Sequence, residues 1–211
     1  MAQRRTMKKA ALALVGAICL MTIGCSNQSP SQPAAPKQTV PPQPVTGQSG
    51  LYKMFQLARS WAPDAQVLKL QSVHLTEVPE VPDKAGEWQA TFVSASRGAA
   101  KSYTWSAVDV EPTLHQGTFP GSEEPYSAKP GSSPFPIAAV KIDTDAALAK
   151  AKTEVAEYAK KNPTMAITWV LEKTNRFPDP AWRVIWGESL GVSGDSVYID
   201  ATTGAYLETM H

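Results

Sequence analysis

Two stretches of the chain repeat the same order of hydrophobic periods. In the first, Leu51, Met54, Phe55, Ala58 and Trp61 recur at the spacing of one helix face; in the second, Leu148, Ala151, Val155, Tyr158 and Ala159 do so. Asp143-Thr144-Asp145 stands just ahead of the second run, where carboxylates and hydroxyls cap a helix start, and Pro63 and Pro163 close the two runs. Each predicted helix leads into a β-prone segment, residues 66–73 and 165–172. Next come Trp88-Gln89-Ala90-Thr91-Phe92 and Trp182-Arg183-Val184-Ile185-Trp186, which place large groups at alternate positions, as half-buried strands require. Trp105 follows Trp88 at the same interval at which Ile199 follows Trp182, so 102–105 corresponds to 196–199 without a gap. Turns over 94–98 and 191–195 make each strand pair a hairpin. Each copy therefore reads as a helix followed by three strands.

Between and before the copies the pattern disappears. Residues 111–137 carry prolines at 112, 120, 125, 130, 134 and 136, and a structureless loop of that length is improbable inside one compact domain, so this segment reads as a connector. Residues 26–50 hold six prolines and five glutamines with little to bury, the composition of an extended, disordered spacer reaching at most about 75 Å at ~3.1 Å per residue. The expected organisation is a leader over 1–24, Cys25 and a linker to residue 50, a degenerate copy over 51–110, the connector 111–137, and a full copy over 138–211. The expected fold class is α+β, two tandem helix-plus-antiparallel-sheet units, each with its helix on one face of its own small sheet.

The leader changes the charge picture. Residues 1–9 are basic and 10–24 apolar, a run shorter than the ~20 residues of a spanning helix, which is the form of an export signal. Removing Arg4, Arg5, Lys8 and Lys9 with it leaves 16 basic against 19 acidic residues, a net charge of −3. A slightly acidic body with no basic cluster lacks the footprint of nucleic-acid binding. The leader ends Met21-Thr22-Ile23-Gly24-Cys25, which resembles the lipobox of bacterial lipoproteins. That resemblance implies cleavage before Cys25, acylation of its thiol and attachment to a membrane; with Ser26 rather than Asp next in line, it implies the outer membrane where the envelope has two. Two or more acyl chains hold a protein stably where one does not. Cys19 leaves with the leader, so no free thiol remains for a disulfide, a metal or a nucleophile.

The second copy ends in Asp200-Ala201-Thr202-Thr203-Gly204 between two strand patterns, where an Asp side chain can hold backbone amides and Gly204 can take a positive φ. With the preceding helix and the Trp182 strand, this stretch resembles the PepSY domain of bacterial envelope and secreted proteins. The resemblance covers 138–211; in 51–110, Ser106-Ala107-Val108-Asp109 occupies the place of the turn. It implies a non-catalytic module that binds a protein or peptide partner, with restraint of a peptidase among its roles. Asp200 and Gly204 are assigned to the turn itself rather than to a ligand. Catalytic and metal-binding sets are not expected: His74, His115 and His211 have no ligand spacing, and no phosphate-binding glycine loop is present, so no cofactor is assigned. Trp186 and Tyr198 are the candidates for a binding face, and a sheet edge, gated by the proline-rich connector, is the expected means of holding an extended peptide. The alternatives are a passive envelope tether and a hydrolase of unrecognised type. Acyl labelling of the full chain should be abolished by Cys25→Ser and unaffected by Ser26→Ala.

Overall fold

The computed structural model describes residues 41–110, 112–189, 191 and 194–210. In chain order these form β1 (Val45–Thr46), α1 (Gly47–Trp61), β2 (Gln66–Val73), β3 (Lys84–Ala85), β4 (Glu87–Ser94), β5 (Ala99–Ser106) and β6 (Gly117–Pro125). A 3₁₀ turn (Ile137–Ala139) then leads to α2 (Thr144–Glu154), α3 (Ala156–Lys161), β7 (Ile167–Glu172), β8 (Ala181–Trp186), β9 (Ser196–Asp200) and β10 (Tyr206–Met210). Eight strands make a single antiparallel sheet in the order β10-β9-β8-β7-β2-β4-β5-β6, and β1 pairs with β3 as a separate short ribbon.

The class is α+β, as the hydrophobic periods predict, but the expected pair of separate sheets is replaced by one. The order reads alike from either edge: β2-β4-β5-β6 runs outward from the middle on one side and β7-β8-β9-β10 on the other. The halves meet where β2 pairs antiparallel with β7, through Lys69↔Glu172, Leu70↔Leu171 and Gln71↔Val170. A further bond from Trp169 N–H to Ser72 Oγ (2.9 Å) extends that seam. The physical reason for the merger is that a separate half would leave β2 or β7 as an edge with unpaired backbone groups.

The hairpin register follows the interval found in the sequence, since Trp88 lies opposite Trp105 and Trp182 opposite Ile199. Trp88, Trp105, Trp169 and Trp182 share the helix side of the sheet in one continuous core. Trp88 meets Trp182 edge-on at 6.5 Å between centroids, and Trp182 meets Trp169 at 5.7 Å, so aromatic contact crosses the seam. Three of the buried indole N–H groups donate to main-chain carbonyls: Trp88 to Val45 O (3.0 Å), Trp169 to Pro82 O (2.9 Å) and Trp182 to Ile142 O (2.8 Å).

The expected boundaries move at two places. Helix α1 starts at Gly47, inside the predicted linker, because Gln48 N–H donates to Asp143 Oδ1 (2.8 Å) and Gly47 N–H to Thr144 Oγ1 (3.1 Å). Asp143 Oδ1 also accepts from Thr144 N–H (2.7 Å), so one carboxylate serves the first turns of α1 and α2. Glycine is needed where α1 crosses the aromatic floor: a Cβ at Gly47 would lie 2.5 Å from Trp182 and one at Gly50 2.6 Å from Trp88. The connector 111–137, in turn, contributes β6, which pairs along β5 with a register shift between Lys101 and Tyr103. Its prolines are tolerated because β6 is an edge strand, the one place in a sheet where missing N–H groups cost little. Farther along the connector, Phe135 is buried and bonded to Val67 in both directions.

Trp182→Phe should leave Ile142 O without its donor and open space beneath α1, lowering stability by about 2–3 kcal/mol in denaturant unfolding. Tyr52→Ala, at an exposed site on α1, should change it by about 0.5 kcal/mol or less.

Candidate functional site

Alternation along the strands decides which side chains meet the helices and which face away. Trp88, Ala90 and Phe92 of β4 lie in the core under α1, so Glu87, Gln89 and Thr91 lie on the back of the sheet. By the same register, Gln71, Thr104 and Ser102 share the back, as do Thr168, Val170, Arg183, Ile185 and Tyr198 in the other half.

The two halves treat this back face differently. Behind β7, β8 and β9, the loop between β7 and β8 folds down, setting Phe177 against the Tyr198 ring at 5.3 Å between centroids. The guanidinium groups of Arg176 and Arg183 sit 5.2 and 5.7 Å from the same ring, and Arg176 is paired with Glu208. Val170, Ile185 and Tyr198 are buried as a result. Behind β2, β4 and β5, by contrast, Gln89 and Ser102 are exposed and Gln71, Thr91 and Thr104 are half-buried.

This uncovered polar floor is walled at both ends. Near the start of β4, Leu75, Val110, Thr113, Leu114 and Phe119 line an open cleft of about 350 Å³ over Glu87, Gln89 and Thr104. At the opposite end, Leu68, Ala100, Tyr126 and Lys129 bound one of about 310 Å³. Tyr126 Oη is buried there without a hydrogen-bond partner among the described residues. A third cleft, about 420 Å³, lies at the seam beside His74, Thr168 and Val170.

Glu87 is the unusual group of this face. It is only 6% exposed, and its hydrogen-bond partner among the described residues is Gln89 Nε2, donating at 2.7 Å to Oε1. Gln89 in turn accepts from Gln71 Nε2 at 3.3 Å. Burial raises the Glu87 pKa from its usual 4.5, and the Gln89 bond offsets only part of that rise. No signal in the sequence distinguishes Glu87 from a solvated acid at a strand start, and the segment that buries it was expected to be an open connector.

The residues singled out from sequence fall elsewhere. Trp186 and Tyr198 do not form a face: Trp186 is 2% exposed under Tyr158 on the helix side, and Tyr198 is 6% exposed on the back. The reason is parity, since Trp186 alternates with Trp182, whereas Tyr198 is one residue away from Ile199, the partner of Trp182. Nor is the β5 edge free for an added peptide, because β6 occupies it. Asp200 Oδ1 accepts from the N–H groups of Thr202 (2.8 Å) and Thr203 (2.9 Å), and Gly204 has φ +79°, which closes the β9–β10 turn. Cys25, the leader and most of the linker lie outside the described residues.

One arrangement has the connectivity of a hydrolase relay. His74 Nδ1 lies 3.6 Å from Glu80 Oε1, and His74 Nε2 lies 3.0 Å from Thr168 Oγ1. The proton bookkeeping opposes that use. Thr168 donates its single hydroxyl proton to Gly187 O at 2.7 Å, a carbonyl that can only accept, so Thr168 accepts from His74 Nε2–H. A nucleophile needs the reverse direction, with the imidazole taking the hydroxyl proton. Among the described residues no group of three or more His, Cys, Asp or Glu side chains is placed to hold a metal ion, and no helix is long and apolar enough to cross a membrane.

Because the Glu87 pKa is raised on folding, the folded state gains from protonation of this group, and the gain is lost as pH rises from near 4.5 through the folded value. Glu87→Gln should therefore raise the thermal midpoint at pH 7, with the difference from wild type narrowing toward pH 4.

No protein-family model and no curated protein matches this chain. Among solved structures, similarity is found to the crystal structure of a "putative lipoprotein" from Clostridium difficile 630, at 10% identity over 82% of this chain and 95% of that one. The TM-score of 0.45 makes that likeness too distant to assign a family or an activity.

Proposed function

We propose that the chain is a non-catalytic envelope lipoprotein, anchored through Cys25, whose folded part binds a protein or peptide partner. The observation that carries the binding half of this reading is the contrast across the back of the sheet. One half is roofed by its own loop over Tyr198, while the other presents Gln71, Gln89, Thr91, Ser102 and Thr104 between two walled clefts. Amide and hydroxyl groups spaced two residues apart along neighbouring strands suit the donors and acceptors of an extended chain. The membrane address rests on the basic and apolar leader and on Gly24-Cys25-Ser26, and the outer membrane is the proposed destination where there are two. The PepSY-like reading of 138–211, and of 51–110 as its degenerate copy, rests on the residues that carry that resemblance; restraint of a peptidase is proposed on that ground.

A tether that merely holds a passive body at a distance is the competing reading, and the two part on one comparison. Gln89→Trp fills the polar floor at an exposed position, whereas deleting residues 28–38 shortens the spacer. In cross-linked envelopes, the binding reading expects a specific partner to be recovered with wild type and the shortened chain and reduced at least tenfold with Gln89→Trp. Recovery with Gln89→Trp and loss on shortening would favour the tether, and no specific partner with any variant would overturn the binding reading.

A further inference from the structure

We infer that the cleft over Glu87 is a recognition pocket for a basic side chain, the ammonium of a lysine or the guanidinium of an arginine presented by the partner. This deepens the binding reading above and rests on it. The cleft is built as such a pocket requires. Its walls, Leu75, Val110, Leu114 and Phe119, are apolar, and its base holds Glu87, a residue 6% exposed whose carboxylate is partly buried at the floor of the cleft.

Burying a carboxylate without a cation is costly, and natural cores avoid it by pairing the group or by replacing it. Here the group is kept, and what it receives among the described residues is one amide donor from Gln89. That bond satisfies one oxygen and leaves the charge uncompensated. A neutral donor could complete the hydrogen bonding but not the charge, and an anion would be repelled. An aliphatic stem ending in a cation does both: the methylenes lie along Leu75, Leu114 and Phe119, and the head makes a charge-assisted bond to Glu87. The raised pKa of the unliganded carboxyl is the expected companion of this arrangement.

The segment that supplies the wall is held firmly enough to act as one. Val110 and Leu114 bond to each other across its turn, Gln116 N–H donates to Asp109 Oδ1 (2.8 Å), and Gln116 Nε2 donates to Ala107 O (2.9 Å). The other half of the sheet has no counterpart: the position in β8 before Trp182, equivalent to Glu87 before Trp88, is Ala181.

The test uses the detergent-solubilised full chain and two probes that differ only in the terminal ammonium group, N-acetyl-lysine N-methylamide and its norleucine analogue. Titration is followed by NMR at the Gln89 side-chain amide and the Phe119 and Leu114 resonances. The lysine probe should give saturable shifts in the millimolar range, the norleucine probe none. Glu87→Gln should weaken binding at least tenfold, and Thr113→Trp, which narrows the mouth without touching Glu87, should weaken it as well. Equal response to the two probes, unchanged binding in Glu87→Gln, or unshifted Gln89 resonances would overturn the pocket. In the envelope pull-down, equal recovery of the partner by wild type and Glu87→Gln would overturn the pocket and leave partner binding standing. Recovery of no partner by either would remove the binding reading, with the NMR result still deciding whether the cleft takes a cation.

Discussion

Three residue pairs hold the two halves of this molecule together as a sheet, and much of the remaining structure is arranged around them. The β2–β7 seam is short beside the eight-pair β4–β5 ladder. It is reinforced from outside the backbone ladder: Ser72 takes the Trp169 amide, Trp88 and Trp182 touch across the helix side, and Asp143 and Thr144 reach from one half to hold the start of the helix in the other. Each reinforcement places a polar or aromatic group at a point where an isolated half would have exposed it. Because buried polar groups left unpaired cost more than paired ones return, the seam is enforced by what its absence would leave unsatisfied.

The three indole-to-carbonyl bonds extend that logic into the loops. Val45 lies in the short β1 ribbon and Pro82 and Ile142 in loops, and each gives its carbonyl to a tryptophan fixed in the core. The rings therefore fill volume and also set where the chain passes over them. Asp83 O, one residue beyond Pro82, accepts from Thr144 Oγ1 at 2.6 Å, so the loop, the shared cap and the aromatic floor form one connected arrangement.

Much of the local order could be read from sequence, and the reasons for the misses are specific. The interval from Trp88 to Trp105 and from Trp182 to Ile199 set both hairpin registers, because alternation is a local property. Joining the halves was not legible, since hydrophobic period says which face of a strand is buried and nothing about which edges pair. Strand β6 was hidden by Pro120 and Pro125, which an edge position tolerates and a central one would not. The start of α1 was hidden because its capping groups stand near residue 143, beyond the reach of any local rule. Parity alone separates Trp186 from Tyr198, whereas nothing local marks Glu87, because the turn around Leu114 that covers it carries no strand or helix period.

The shared Asp143 cap also has a bearing on the order in which the chain can acquire structure. Until residue 143 is present the first turn of α1 lacks its long-range acceptors, and until residue 172 is present the inner edge of β2 has no neighbour. A chain delivered from its N-terminus thus carries a first half with its principal supports missing for most of its length, and pairings this distant in sequence form slowly. If the chain crosses a membrane as an extended thread, as the proposed address requires, its first half would pass before residues 143 and 172 could complete these contacts.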